Sequence, residues 1–181
     1  MNSLNNFEAA GVSFHDSSRE DLDGLLEKIP ETGLLHLAIL KPPYLDLIAD
    51  GTKTIESRFN TKRAAPYGKV SVGDLILLKG TGKPITHYFF AASVVLFDLT
   101  ETPVEYIREN YAEGIQAQNE DVFWEERTTS RYATLVGVGD RGSIPAMPVI
   151  KRDQRGWVTF QRKENASVEG DDFDMDNFLR S

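Results

Sequence analysis

The chain has 181 residues, 40% hydrophobic and 27% charged, enough for one medium domain with the composition of a soluble globular protein. Cysteine is absent and the three histidines lie scattered at 15, 36 and 87, so disulfide scaffolds, thiolate zinc sites and cysteine nucleophiles are excluded; neither metal nor cofactor is expected. A net charge of −8 argues against a generally basic coat, no apolar run nears the roughly 20 residues that span a bilayer, and residues 1–7 lack a secretory signal, so a cytoplasmic protein without membrane contact is expected.

The charge is unevenly distributed. Residues 1–33 carry 2 basic and 7 acidic groups, 34–163 carry 17 and 15, and 164–181 carry 1 and 6. Within the middle, 41–83 holds 8 basic against 4 acidic groups, 98–126 holds 1 against 9, and 127–163 holds 8 against 2. Two basic blocks flank an acidic one, and folding can bring the basic blocks together as one cleft or leave them as separate solvated surfaces. The expected organisation is an N-terminal extension over 1–33 with a short helix, a core domain over 34–163, and an acidic, flexible tail over 164–181.

Ser18-Arg-Glu-Asp21 resembles a capping box, and Leu22, Leu25, Leu26 and Ile29 follow at helical spacing until Pro30. Leu34 to Leu40 is an apolar run of buried-strand type, stopped by Lys41-Pro42-Pro43. The prolines can start a helix with Tyr44, Leu45, Leu47 and Ile48 on its apolar face and Gly51 as a left-handed cap. Lys53 to Phe59 reads as strand, 59–69 as a polar, basic loop, and Val70, Val72 and Leu75 to Leu78 as paired strands about a Gly73-Asp74 turn. Gly80 to Pro84 is a second glycine-bearing loop, and Ile85 to Leu99 a long strand or hairpin arm. Thr102-Pro103-Val-Glu105 predicts a helix to about Ala112, Asn119 can cap another, Tyr132 to Val138 returns to strand, and a turn at 154–157 enters a last strand, Val158 to Phe160. This order is not a regular βαβ alternation. It predicts an α+β fold, a mixed β-barrel with peripheral helices.

Gly51-Thr-Lys53-Thr-Ile-Glu56-Ser-Arg58 carries the chemistry. On a strand, Glu56 and Arg58 share one face and can pair, while Ile55 points into the core. Strict alternation puts Lys53 on the Ile55 side; it reaches the Glu56 face only if the Gly51-Thr52 turn twists it round. An ordinary rim ion pair is the competing reading. A lysine and an arginine beside a glutamate suit a phosphate and a planar ring, the components of a nucleotide. Tyr44, Tyr67, Tyr132 and Trp157 are available for stacking, though core packing would occupy the same residue types, and Lys62, Arg63, Lys79, Arg131, Lys151 and Arg152 are candidate phosphate contacts.

The octapeptide matches GxKxxExR. With its flanking order of apolar strand, short helix ending in glycine, motif strand and Val-x-Val-Gly-Asp turn, it makes the sequence resemble the ASCH domain family of PUA-like β-barrels over much of 34–163. The resemblance implies a ligand cleft around Lys53, Glu56 and Arg58 and RNA or nucleotide binding, in RNA metabolism or translation-linked regulation. Related branches include small hydrolases acting on acylated cytidine or RNA. In the cytidine amidohydrolase branch a threonine stands where this chain has Glu56, so that mechanism does not transfer intact. If there is chemistry, it is a metal-independent hydrolysis with Lys53, lowered in pKa by Arg58, as nucleophile or acid and Glu56 or Glu113 as base. A protein-interaction module, docking a basic partner on the acidic 98–126 block, is the alternative of a different class. Oligomeric state is not legible.

Overall fold

The structure is a computed structural model and describes residues 2–15 and 19–164. Ser18 of the capping box and the tail beyond Glu164 lie outside them. The elements are a 3-10 turn (Leu4–Asn6), β1 (Phe7–Glu8), β2 (Val12–Phe14), α1 (Arg19–Leu26), β3 (Leu35–Leu40), α2 (Tyr44–Ala49), β4 (Ile55–Asn60), β5 (Leu75–Gly80), β6 (Ile85–Asp98), α3 (Val104–Ile115), α4 (Asp121–Glu125), β7 (Tyr132–Met147), β8 (Val149–Lys151) and β9 (Trp157–Arg162).

The fold is α+β, as expected. Seven strands form one sheet in the order β1-β9-β3-β5-β6-β7-β4, and β2 pairs with β8 in a small second sheet. Only β3 and β5 are parallel, and both are almost wholly buried, which explains why they are apolar apart from His36 and Lys79. The backbone ladder does not close between β4 and β3. The sheet curls nonetheless: Arg58 on β4 donates to the Ile39 carbonyl on β3 at 3.1 Å, although three strands separate them in the ladder. A side chain spans the gap of this rolled sheet.

Several boundaries move. Val70 to Val72 form no strand; Val70 N–H closes a turn onto Pro66 and Val72 is exposed. α3 begins one residue later than expected and runs on to Ile115, and Glu120 rather than Asn119 precedes α4. β7 continues nine residues past Val138, because bulges around Phe89, Ala91 and Ser93 let β6 and β7 stay paired. Gly139 and Gly142 permit it: a Cβ would press on the Phe90 carbonyl or the Tyr88 ring.

Residues 1–33 do not form a separate layer where described. Leu4, Phe7, Leu22, Leu26 and Ile29 join Leu35, Leu37, Leu75, Leu77 and Phe160 in one buried cluster, and β1 pairs with β9. A second cluster gathers Ile48, Ile76, Leu78, Phe89, Val136 and Trp157; a third packs α3 and α4 through Ile107, Ile115, Phe123 and Trp124 against Leu135. His36 sits at zero exposure in this frame. Trp157 Nε1 donates to its Nδ1 at 3.1 Å, leaving the Nε2 proton for Asp74 at 2.9 Å, so His36 is a satisfied core histidine that orients Trp157. No helix among the described residues is long and apolar enough to cross a membrane.

Candidate functional site

α2 ends at Ala49, the Asp50 carboxylate accepts from Thr52 N–H at 2.8 Å, and Gly51 turns the chain at φ +86°. Backbone bonds then lock the motif entrance: Lys53 N–H donates to Leu47 O and Thr54 N–H to Gly114 O. Gly114 is required here, since a Cβ would meet the Ile55 side chain. This turn takes Lys53 off strand alternation and onto the Glu56 side, with its ammonium 3.6 Å from Glu56 Oε2.

Lys53 is 2% exposed and Glu56 4%. Lys53 Nζ donates to the Ile115 carbonyl at 2.8 Å and stands 5.1 Å from the Tyr44 ring centre. Arg58 donates through Nε to Glu56 at 2.8 Å, through Nη1 to Gly156 O and through Nη2 to Ile39 O, each at 3.1 Å, while its guanidinium faces Trp157. Burial holds the Lys53 amine below the ordinary lysine value; Glu56 opposes that, and Arg58 contributes only a smaller push in the same direction. Tyr44 is raised, chiefly by burial and then by Glu120.

These groups line an open cleft of about 800 Å³ between β4, the C-terminal ends of β3 and β5, the α4 end and the 151–156 turn. Seven lysines and arginines line it against three carboxylates. Of the residues predicted from sequence, Tyr44, Lys53, Glu56, Arg58, Lys79 and Lys151 are there. The others are elsewhere. Lys62 is exposed on the loop after β4, and Arg63 and Arg131 flank Tyr132, which packs on Tyr67 at 4.8 Å in a separate basic and aromatic cluster. Arg152 faces solvent near Gly11, and Glu113 is exposed on α3 outside the cleft, which leaves Glu56 alone beside Lys53. Trp157 is buried with its indole N–H engaged, so it is a platform for Arg58 rather than a free stacking surface.

Sequence reasoning missed Arg127, Lys41 and Arg155 as cleft cations. Arg127, just past α4, donates to Phe123 O at 2.7 Å and lies against the Phe123 ring; burial lowers its pKa. An arginine four residues after an aromatic residue at a helix end was the available signal. Asp153 accepts from Lys151 and from Arg155 Nε, each at 2.7 Å, and these bonds hold its carboxyl far below the usual range. Among the described residues no cluster of metal-ligating side chains occurs.

The fold has known counterparts. A crystal structure of ASCH from Zymomonas mobilis superposes with a TM-score of 0.50 at 18% identity, covering 62% of this chain and 72% of that one. Serine-to-alanine and tyrosine-to-phenylalanine variants of that protein align at 0.48 and 0.47, each 17% identical, over 62% of this chain and 72% and 73% of theirs. At such identities the likeness concerns architecture: this protein has the ASCH fold. No sequence-family model and no curated protein matches the chain.

Proposed function

We propose that the protein binds RNA or a nucleotide in the cleft around Lys53, Glu56 and Arg58. The observation that carries this is the excess of cations in a cleft of nucleotide size, with the Tyr44 ring half-buried at its side. An electropositive cleft of that kind attracts phosphate and concentrates an anionic ligand. The test is a binding screen of nucleosides, nucleotides and short RNAs at low salt, where phosphate contacts are strongest. Low-micromolar binding that weakens with salt is the expected result, and failure of every candidate at low salt refutes the reading.

A hydrolase reading has one observation in its favour, the lowered pKa of the Lys53 amine, which favours a neutral nucleophile. Geometry weighs against it: the amine is 2% exposed and donates to Ile115 O, and Glu56 is tied to Arg58. Assaying wild type and Lys53→Arg on N4-acylated cytidine and on RNA separates the two, because arginine keeps the charge but cannot act as an amine. Little or no wild-type turnover is expected; robust turnover abolished by the substitution would promote the hydrolase.

A further inference from the structure

The motif cations are occupied by the protein itself. Lys53 serves Ile115 O and Glu56, Arg58 serves three acceptors, and Arg127 donates through Nη1 to Phe123 O, its Nε buried without a partner and out of a ligand's reach. Lys79 differs. It is the register partner of Ile39 across the parallel β3–β5 pair, one strand beyond the carbonyl that holds Arg58. It lines the cleft at 8% exposure, and no acceptor or carboxylate among the described residues contacts its ammonium. Its stem is buried while the ammonium, unpaired within the described residues, opens on the cleft, where an anion from outside the chain supplies the missing partner.

The surroundings specify that anion. Lys151 donates to Asp153 O and Oδ1, each at 2.7 Å, which leaves one of its three N–H donors free. Lys79, Lys151 and Arg155 against Asp153 give a local charge of +2, the complement of a phosphate monoester dianion and twice that of a phosphodiester. Thr81, on the loop after β5, adds a hydroxyl to the same lining. Burial and the charge of Lys151 lower the Lys79 pKa, a strain that a bound dianion reverses.

We infer that the Lys79 end of the cleft is a subsite for a phosphate monoester, so that the cleft prefers a nucleotide bearing a terminal phosphate, free or at an RNA end, over the parent nucleoside. This rests on the nucleotide-binding reading above and moves the phosphate contact from the motif lysine to Lys79.

Calorimetric titration with the four nucleosides and their 5′- and 3′-monophosphates tests it. In the unaltered protein a monophosphate should bind at least about tenfold tighter than its nucleoside. Lys79→Met should abolish that ratio while leaving nucleoside affinity within about twofold, and Lys79→Arg should restore part of it. Inorganic phosphate, added to the wild type, should displace the monophosphate and not the nucleoside, a result that requires no variant to fold. Short RNAs with and without a terminal phosphate identify the source: a matching gain places an RNA end in the subsite, and a gain confined to mononucleotides places a free nucleotide there. Nucleosides and monophosphates binding equally, or Lys79→Met keeping the ratio, overturns the subsite and leaves the nucleotide reading standing. No binding by any of these ligands overturns both.

Discussion

Glu56 is the one carboxylate among the motif cations, and removing its charge should cost far more than removing that of Lys53. With Glu56→Gln, Lys53 at 2% exposure faces no carboxylate and Arg58 loses its strongest acceptor, whereas Lys53→Met leaves Glu56 and Arg58 as a bonded pair at 2.8 Å. Breaking a buried ion pair from one side typically costs about 3–5 kcal/mol. Lys53→Met deprives Ile115 O of a donor, about 1–3 kcal/mol, but relieves the desolvation of an ammonium, so a net cost near 1 kcal/mol is expected. Urea unfolding followed by fluorescence of the buried Trp124 and Trp157 reads the difference. At an m-value near 2 kcal/mol/M, Glu56→Gln should lower the midpoint by about 1.5–2.5 M and Lys53→Met by about 0.5 M. The pH dependence supplies a second check. Lys53 already has a folded-state pKa below its unfolded value, and Glu56 is what holds it up, so without the carboxylate the folded pKa falls further. Between that pKa and the unfolded value of about 10.4 the unfolded chain binds more protons, so stability rises with pH, by up to about 1.4 kcal/mol per unit. Glu56→Gln should therefore regain stability from pH 7 to 10 more steeply than wild type. A Glu56→Gln protein within 1 kcal/mol of wild type, or one whose deficit ignores pH, refutes the reasoning.

Three further outcomes are expected. Arg58→Lys should lose the donors to Ile39 O and Gly156 O that bridge the open side of the sheet, costing about 2–3 kcal/mol by urea unfolding and accelerating amide exchange along β3 and β4; unchanged exchange would mean the bridge is not structural. Gly51→Ala forces a side chain onto φ +86° and into the Arg141 guanidinium, so it should cost about 1–3 kcal/mol and weaken nucleotide binding as Lys53 shifts; a fully stable variant contradicts this. Deleting residues 164–181, six acidic groups and one basic, should strengthen RNA binding at 50 mM salt and have no effect near 0.5 M, where exposed charges are screened; equal affinities at both make the tail a bystander.

How far the site was legible follows from what fixes each side chain. Glu56 and Arg58 were readable as a pair because strand alternation places i and i+2 on one face whatever the rest of the fold does. Lys53 was not, because its direction is set by Gly51, by its own bond to Leu47 and by the bond of Thr54 to Gly114, 60 residues further on. The compact apolar and β-branched runs marked most strands of the main sheet, but the length of β7 depended on bulges in its partner, which leave no mark of their own in the β7 sequence. Arg127 and Arg155 enter the cleft on elements remote in sequence from the motif, so nothing near the octapeptide announced them. The deepest gap concerns roles. A motif tells which cations share a surface, but whether each is free for a ligand depends on the carbonyls it meets, and those of Ile39, Ile115 and Gly156 have no side-chain signature. That is why Lys79, one unremarkable lysine in a strand, lines the cleft without a protein partner among the described residues while the conspicuous motif pair is already engaged.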